Sequence, residues 1–255
     1  MVGIHLRGVE ARYELLSVRD YNLKRRVVDV TTRQRELPKA IHALRAVDLD
    51  IVEGTRLGLV GSNGAGKSTM LSVMAGLLPP TSGSVRVEGR VLALLGGASA
   101  GLDQEASGRA NIVSLGVQMG ESPAAMRELT DDIIDFSGLE SRIDHPVYSY
   151  SSGMQARLRF SILTGLRPDV LLIDEGIGAA DAAFAEAAAA RLESFVRRAA
   201  IMVIASHDVN WLNQNCTEGI WLAQGHIRSR GPLGQVLDGY LQSVHAAAAQ
   251  GVPEP

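Results

Sequence analysis

The chain has 255 residues, with 25 Lys and Arg against 28 Asp and Glu and a formal net charge of −3. That length holds one large domain or two small ones with a sizeable core, and so even a charge balance favours neither nucleic acid nor an anionic membrane as a bulk partner. The one cysteine, Cys216, rules out an internal disulfide and suits a reducing compartment. The opening residues, MVGIHLRGVEARYE, carry charges throughout and lack the apolar core of a secretory signal. Apolar stretches such as Val91–Leu95 and Ala199–Ala205 fall far short of the ~20 residues that span a membrane. A cytoplasmic protein is expected, with any membrane part supplied by another chain.

Residues 3–13 predict a first strand ending near Tyr13, followed by an irregular basic stretch over 14–40. From His42, HALRAVDLDIVEG alternates apolar and polar residues as a half-buried strand does, up to a turn at Glu53-Gly54. The apolar run Leu57-Gly58-Leu59-Val60 leads into a glycine-rich loop, and a helical pattern follows over Met70–Ala75. Pro79-Pro80-Thr81-Ser82-Gly83 is a turn, and Ser84–Val87 a short strand. Residues 105–167 read as mostly helical: Ser122 caps a helix over Pro123–Phe136, with proline at the first helical position, and a second helix follows Ser151-Ser152-Gly153 and runs to Gly165. A buried strand over Val170–Ile173, a helix over Ala188–Arg198 and a buried strand over Ile201–Ala205 come next. A hairpin pairs Gly219–Gln224 with His226–Arg230 around Gly225, and a helix from Pro232 to about Val244 closes the fold, with Ala246–Pro255 frayed. Buried strands alternating with helices predict an α/β fold with a parallel-sheet core. The helical block at 105–167 is expected as an insertion between two core strands. No internal repeat is visible, and the alanines of 179–190 are a local helical bias.

Gly61-Ser62-Asn63-Gly64-Ala65-Gly66-Lys67-Ser68-Thr69 fits G-x-x-x-x-G-K-[ST], the phosphate-binding loop, in the strand–loop–helix context that the motif requires. Its glycines let backbone N–H groups converge on phosphate oxygens, and the helix N-terminus adds positive potential. Lys67 is placed to reach the terminal phosphates and Ser68 to offer its hydroxyl to Mg²⁺. Val170–Ile173 ends in Asp174 and Glu175. An acid at the carboxyl end of such a strand can hold Mg²⁺ directly or through water, and the next acid can orient or deprotonate an attacking water. Without the upstream loop the pair reads equally well as two solvated acids in a surface turn. His207, in Ser206-His207-Asp208, ends a strand expected beside that of Asp174, where its ring N–H can meet a γ-phosphate. A lone histidine is otherwise more often structural. Ser151-Ser152-Gly153 puts small residues and free N–H groups at a helix start, a second anion site; taken alone, it is an ordinary capped helix.

The order of these pieces resembles the ATP-binding subunits of ABC transporters. GSNGAGKST is similar to their Walker A, YSSGMQARL to their signature, VLLIDE to their Walker B, Ala180-Asp181 to the end of their D-loop and SHD to their switch histidine, while Tyr13 resembles the aromatic residue that stacks on adenine. The resemblance covers about residues 5–245. Other pieces resemble the branch that exports polysaccharides such as O-antigen, capsule, teichoic acid or galactan: LRAVDLDIVEGTRLGLVGSNGAGKST, SGRANI at 107–112, RIDHPVYSYSSGM, DAAF at 181–184, and the long stretch after Tyr13 with Leu23-Lys24. The signature departs from the usual LSGGQ, keeping Ser151 and Gly153. The region Leu94–Gly101 offers no glutamine for a Q-loop, Gln104 falls too late, and Gly176 and Gly178 loosen the D-loop.

The resemblance implies one ABC ATPase domain over 1–250 with a short tail over 251–255. Its fold is a RecA-like parallel-sheet core, an N-terminal antiparallel β subdomain and the inserted helical subdomain. It implies ATP and Mg²⁺ as cofactors and a head-to-tail homodimer in which each ATP lies between one copy's Walker A loop and the other's Ser151–Gly153. It implies two copies of an integral membrane permease, a lipid-linked glycan as cargo, a place at the cytoplasmic face of the inner membrane, and no nucleic acid. The helical block and the Leu95–Gly101 loop are where a permease is expected to dock. The basic segment 19–39 is another candidate surface, facing lipid headgroups or an anionic glycan, or simply solvated: residues 1–40 carry nine basic and five acidic side chains, net +4, which leaves −7 for the rest. Some exporters of this branch carry a C-terminal carbohydrate-binding domain; with the sequence ending at Pro255, cargo recognition through one is not expected. Other readings are a soluble ABC ATPase acting on ribosomes or DNA, an exporter subunit for another cargo, and a module that binds ATP without turnover. The first usually carries two cassettes, coiled coils or basic tails, and Glu175 with His207 argues against the last.

Overall fold

A computed structural model describes residues 1–14, 40–95, 101–174 and 182–250. Strand patterning divides them into two sheets. β1 (Gly3–Glu14), β2 (Ala40–Val52) and β4 (Ser82–Glu88) form an antiparallel sheet of order β2-β1-β4. β3 (Arg56–Val60), β5 (Val91–Leu94), β6 (Val170–Asp174), β7 (Ile201–Ala205), β8 (Glu218–Ala223) and β9 (His226–Pro232) form the second, of order β5-β6-β7-β3-β8-β9. It is parallel except for the β8–β9 hairpin.

The second sheet is buried on both faces, which is why β6 and β7 read as unbroken apolar runs. Side chains alternate between two cores. Leu171, Ile173, Met202 and Ile204 face the helical block, whereas Val170, Leu172, Ile201 and Val203 face the antiparallel sheet and the helix after the glycine-rich loop.

The helices are α1 (Lys67–Met74), α2 (Gly108–Gln118), α3 (Pro123–Ser137), α4 (Ser152–Gly165), α5 (Ala182–Arg198), α6 (Val209–Asn215) and α7 (Leu233–Gln250). The chain leaves the sheet after β5, builds α2–α4 and returns as β6, the parallel neighbour of β5. The helical block is therefore an insertion between adjacent core strands, and the architecture is α/β with an antiparallel β subdomain, as expected.

Boundaries moved where composition gives no stop signal. α5 starts at Ala182 rather than Ala188, and α7 continues through Ala246–Gln250, the stretch expected to fray. Alanine has the highest helix propensity, so both runs extend a helix instead of marking its end. β5 and α6 were not assigned from pattern: four and seven residues hold too little periodicity. The middle of the basic stretch, residues 15–39, lies outside the described residues. No helix among the described residues is long and apolar enough to cross a membrane.

Candidate nucleotide-binding site

The parallel registers decide where the site falls. Leu59 and Asp174 both pair with Ala205, so β3, β6 and β7 end level and the chains leaving them meet at one edge. A ligand crevice outside the carboxyl ends of the strands is the rule for open α/β sheets. The described residues form a cleft of about 280 Å³ there, lined by Tyr13, Ile41, Ala43, Asn63, Gly64, Gly66, Lys67, Ser68, Thr69, Asp174 and His207.

The loop from Gly61 to Gly66 is held between two neighbours. Gly225, in the β8–β9 turn, donates its N–H to the Ala65 carbonyl at 3.0 Å, and Arg45 of β2 donates to the Gly225 carbonyl at 2.9 Å. Glycine is required at two points. At Gly61 (φ 150°) a Cβ would lie 2.2 Å from the Leu222 carbonyl oxygen, and at Gly66 (φ 110°) 2.4 Å from that of Ala43. Only glycine tolerates both the contact and, at Gly66, the left-handed backbone. α1 starts at once with Lys67, so the positive end of the helix lies at the loop. Lys67 is buried, 8% exposed, and its ammonium curls back over the loop and donates to the carbonyls of Gly61 at 2.6 Å and Ser62 at 3.1 Å. Those bonds offset the cost of burying a charge and hold the ammonium in the concavity where phosphate oxygens would sit.

Asp174 is the last residue of β6 and His207 lies two residues past the end of β7; both line the cleft with Ser68. A hydroxyl and a carboxylate are hard oxygen donors of the sort Mg²⁺ accepts alongside phosphate and water. Among the described residues no group of three or more His, Cys, Asp or Glu converges. Tyr13 stands at the other end, 42% exposed, its hydroxyl 3.4 Å from Thr69 Oγ1. Its cross-strand partner Ile41, which pattern reading passed over, extends the same apolar wall. No local pattern marks it, because its pairing with Tyr13 joins strands far apart in sequence.

Ser151, Ser152 and Gly153 do not line this cleft. Ser151 is the N-cap of α4, its Oγ accepting from Met154 N at 3.2 Å, and both serines are exposed. The capped-helix reading holds for Ser151, and the phosphate-binding reading would need an anion brought from outside the chain. Gln104 is tied to the same helix, Gln155 Nε2 donating to its Oε1 at 3.3 Å. Glu175, Gly176, Gly178, Ala180, Asp181 and Gly96–Ala100 lie outside the described residues.

A phosphate-binding loop at the carboxyl edge of a parallel sheet, roofed by an antiparallel sheet and carrying an inserted helical block, defines a nucleotide-binding cassette of the ABC type. The ABC transporter family model matches residues 44–178, and the chain belongs to that family. It is 37% identical over 218 residues to the O-antigen export system ATP-binding protein RfbB of Myxococcus xanthus, covering 86% of this chain and 50% of that protein. It is 34% identical to the teichoic acids export ATP-binding protein TagH of Lactococcus lactis, covering 94% of this chain and 50% of that one. The chain thus spans about half the length of these relatives. It is 35% identical to the O-antigen export system ATP-binding protein RfbE of Yersinia enterocolitica, covering 89% of this chain and 97% of that protein. Among solved structures, the ATP-binding subunit of an ABC transporter superposes with a TM-score of 0.67 at 20% identity, covering 93% of this chain and 92% of the other. A dimeric ATP-binding cassette bound to ADP and Pi gives 0.66 at 20% identity, covering 90% of this chain and 98% of the other. Both share the fold.

Proposed function

We propose that this chain binds ATP with Mg²⁺, hydrolyses it, and thereby powers export of a lipid-linked polysaccharide of the O-antigen kind through a separate membrane-spanning partner. The observation that carries the reading is the division of the site. Tyr13, Lys67, Ser68, Asp174 and His207 share one cleft, while Ser151–Gly153 lies elsewhere, at an exposed helix start. A nucleotide in the cleft needs a second copy to meet that helix start, so ATP joins two copies head to tail and its hydrolysis lets them part. Binding of this kind shifts the closed state by as much as ATP prefers it.

In this scheme the backbone N–H groups of Gly64–Thr69 and the Lys67 ammonium bind the phosphates, Ser68 and Asp174 hold Mg²⁺, and Tyr13 backs the adenine. His207 donates to the γ-phosphate and Glu175 positions the water that attacks it. When bound, Mg²⁺ neutralises charge on the β- and γ-oxygens. The names of the relatives support the polysaccharide cargo. Two permease copies, docked against the helical block at the cytoplasmic face of the inner membrane, complete the proposed assembly over a single domain of residues 1–250.

Glu175→Gln is expected to bind ATP and pair while turning over orders of magnitude more slowly, read by phosphate release; turnover at the parental rate would remove Glu175 from its role. Co-purification of the tagged chain with an integral membrane protein, and loss of surface glycan when the chain is deleted, test the transport reading. Co-purification with ribosomes instead would overturn it.

A further inference from the structure

Helix α5 is attached at its two ends to different parts of the molecule. Its C-terminal half lies on the sheet. Phe195 is fully buried, Val196 and Ala199 nearly so, and Arg56 of β3 donates from Nη2 to the Ala199 carbonyl at 2.8 Å. Its N-terminal half enters a separate small core with the helical block, formed by Phe160, Phe184 and Ala188 with Phe136 and Leu192 packed against them. Phe136 of α3, Phe160 of α4 and Phe184 of α5 meet with ring centroids 5.2, 5.7 and 6.2 Å apart.

Two arginines stack on different rings of this trio. Arg191 of α5 lays its guanidinium 4.2 Å from the Phe136 centroid, donates to Asp132 Oδ2 of α3 at 2.5 Å and to Thr164 Oγ1 of α4 at 3.2 Å. Arg157 of α4 sits over Phe184 at 5.2 Å. An exposed ion pair alone contributes little. Here the Arg191 side chain is 17% exposed, and stacking, ion pair and hydroxyl contact act through one planar group, where a cation–π contact is strongest.

We propose that this arginine–phenylalanine clasp, with Arg191 as its positioning residue, sets the pose of Ser151–Gly153 relative to the phosphate loop of the same chain and so controls how two copies close on nucleotide. The inference rests on the head-to-tail site proposed above. In a two-fold pair both half-sites of one chain must meet both half-sites of the other at once, so their relative placement within a chain is a condition for closure. Arg191 grips α4 at Thr164, and Ser151 caps its opposite end. Over that length, about 20 Å of helix, a rotation of about 10° moves Ser151 by roughly 3 Å, enough to lose a hydrogen bond.

The test uses the Glu175→Gln chain, measuring ATP-driven association by sedimentation, nucleotide affinity of the dilute single copy, and melting temperature. Arg191→Gln in that background is expected to weaken association about tenfold, in keeping with loss of a shielded cation–π contact and its hydrogen bonds, with single-copy nucleotide affinity unchanged. Arg191→Lys keeps the charge beside Asp132 and is expected to recover part of the loss. Phe136→Leu keeps apolar volume while removing the ring beneath the guanidinium, and provides a second arm should Arg191→Gln melt early. Parental association by folded Arg191→Gln and Phe136→Leu would overturn the proposal, as would an equal loss of single-copy affinity, which would place the effect in the cleft. If the Glu175→Gln parent itself fails to associate with ATP, the head-to-tail reading falls, and the inference with it.

Discussion

At the scale of single residues, the decisive contrast is between a charge kept usable and a thiol kept inert. Lys67 is buried among carbonyls that hold its ammonium in the loop. Cys216 is buried against the sheet, and burial pushes its thiol up to about 12 from an ordinary 9.0, with Arg56 nearby working the other way. The folded chain keeps this proton over a range in which the unfolded chain has lost it. Cys216 therefore contributes no pH dependence below about 9, and stability falls with rising pH between that value and about 12. Alkylation by iodoacetamide at pH 8–10 is expected to be slow in the native chain and fast after unfolding. Native-state labelling at the unfolded rate would show the thiol to be accessible and ionised.

At the scale of elements, two helices start alike and differ in what they serve. Ser122 accepts from Ala125 N at 3.1 Å and Ser151 from Met154 N at 3.2 Å. Removing such a cap costs about 1 kcal/mol, so Ser122→Ala and Ser151→Ala are expected to lower the melting temperature by similar small amounts. Only Ser151→Ala is expected to reduce ATP turnover. Equal turnover in the two would leave α4 with a structural cap and nothing more. The Ser122 cap was legible in the sequence, because a serine directly before a helical run is a local signal, while at α4 the same signal left Ser151 and Ser152 as alternatives. Also legible were the phosphate loop and the β6 and β7 strands, whose apolar runs follow from burial on both faces. The ends of α5 and α7 were not, since alanine runs carry no stop. Ile41 and the Arg191–Asp132–Phe136 clasp were invisible for another reason. They are assembled across strands or helices far apart in sequence, and no local pattern announces such a contact. Pattern marked most of the cleft residues and read Ser151–Gly153 as a second anion site, and in the folded chain that helix start is not part of the cleft lining.

At the scale of the molecule, the central claim is that one site needs two chains. A variant with a disabled cleft, Lys67→Ala, still offers an intact Ser151–Gly153. A variant with a disabled helix start, Ser151→Arg, still offers an intact cleft. Each alone is expected to bind or pair incompletely and to hydrolyse almost no ATP. Mixed in equal amounts, random pairing makes half of the dimers mixed, and each of these holds one intact composite site. The most direct measurement is therefore the ATPase rate of that mixture. The account predicts recovery to about a quarter of the wild-type rate, as two equivalent sites in a two-fold pair require. A mixture as inactive as its components, or a Ser151→Arg chain active by itself, would contradict it.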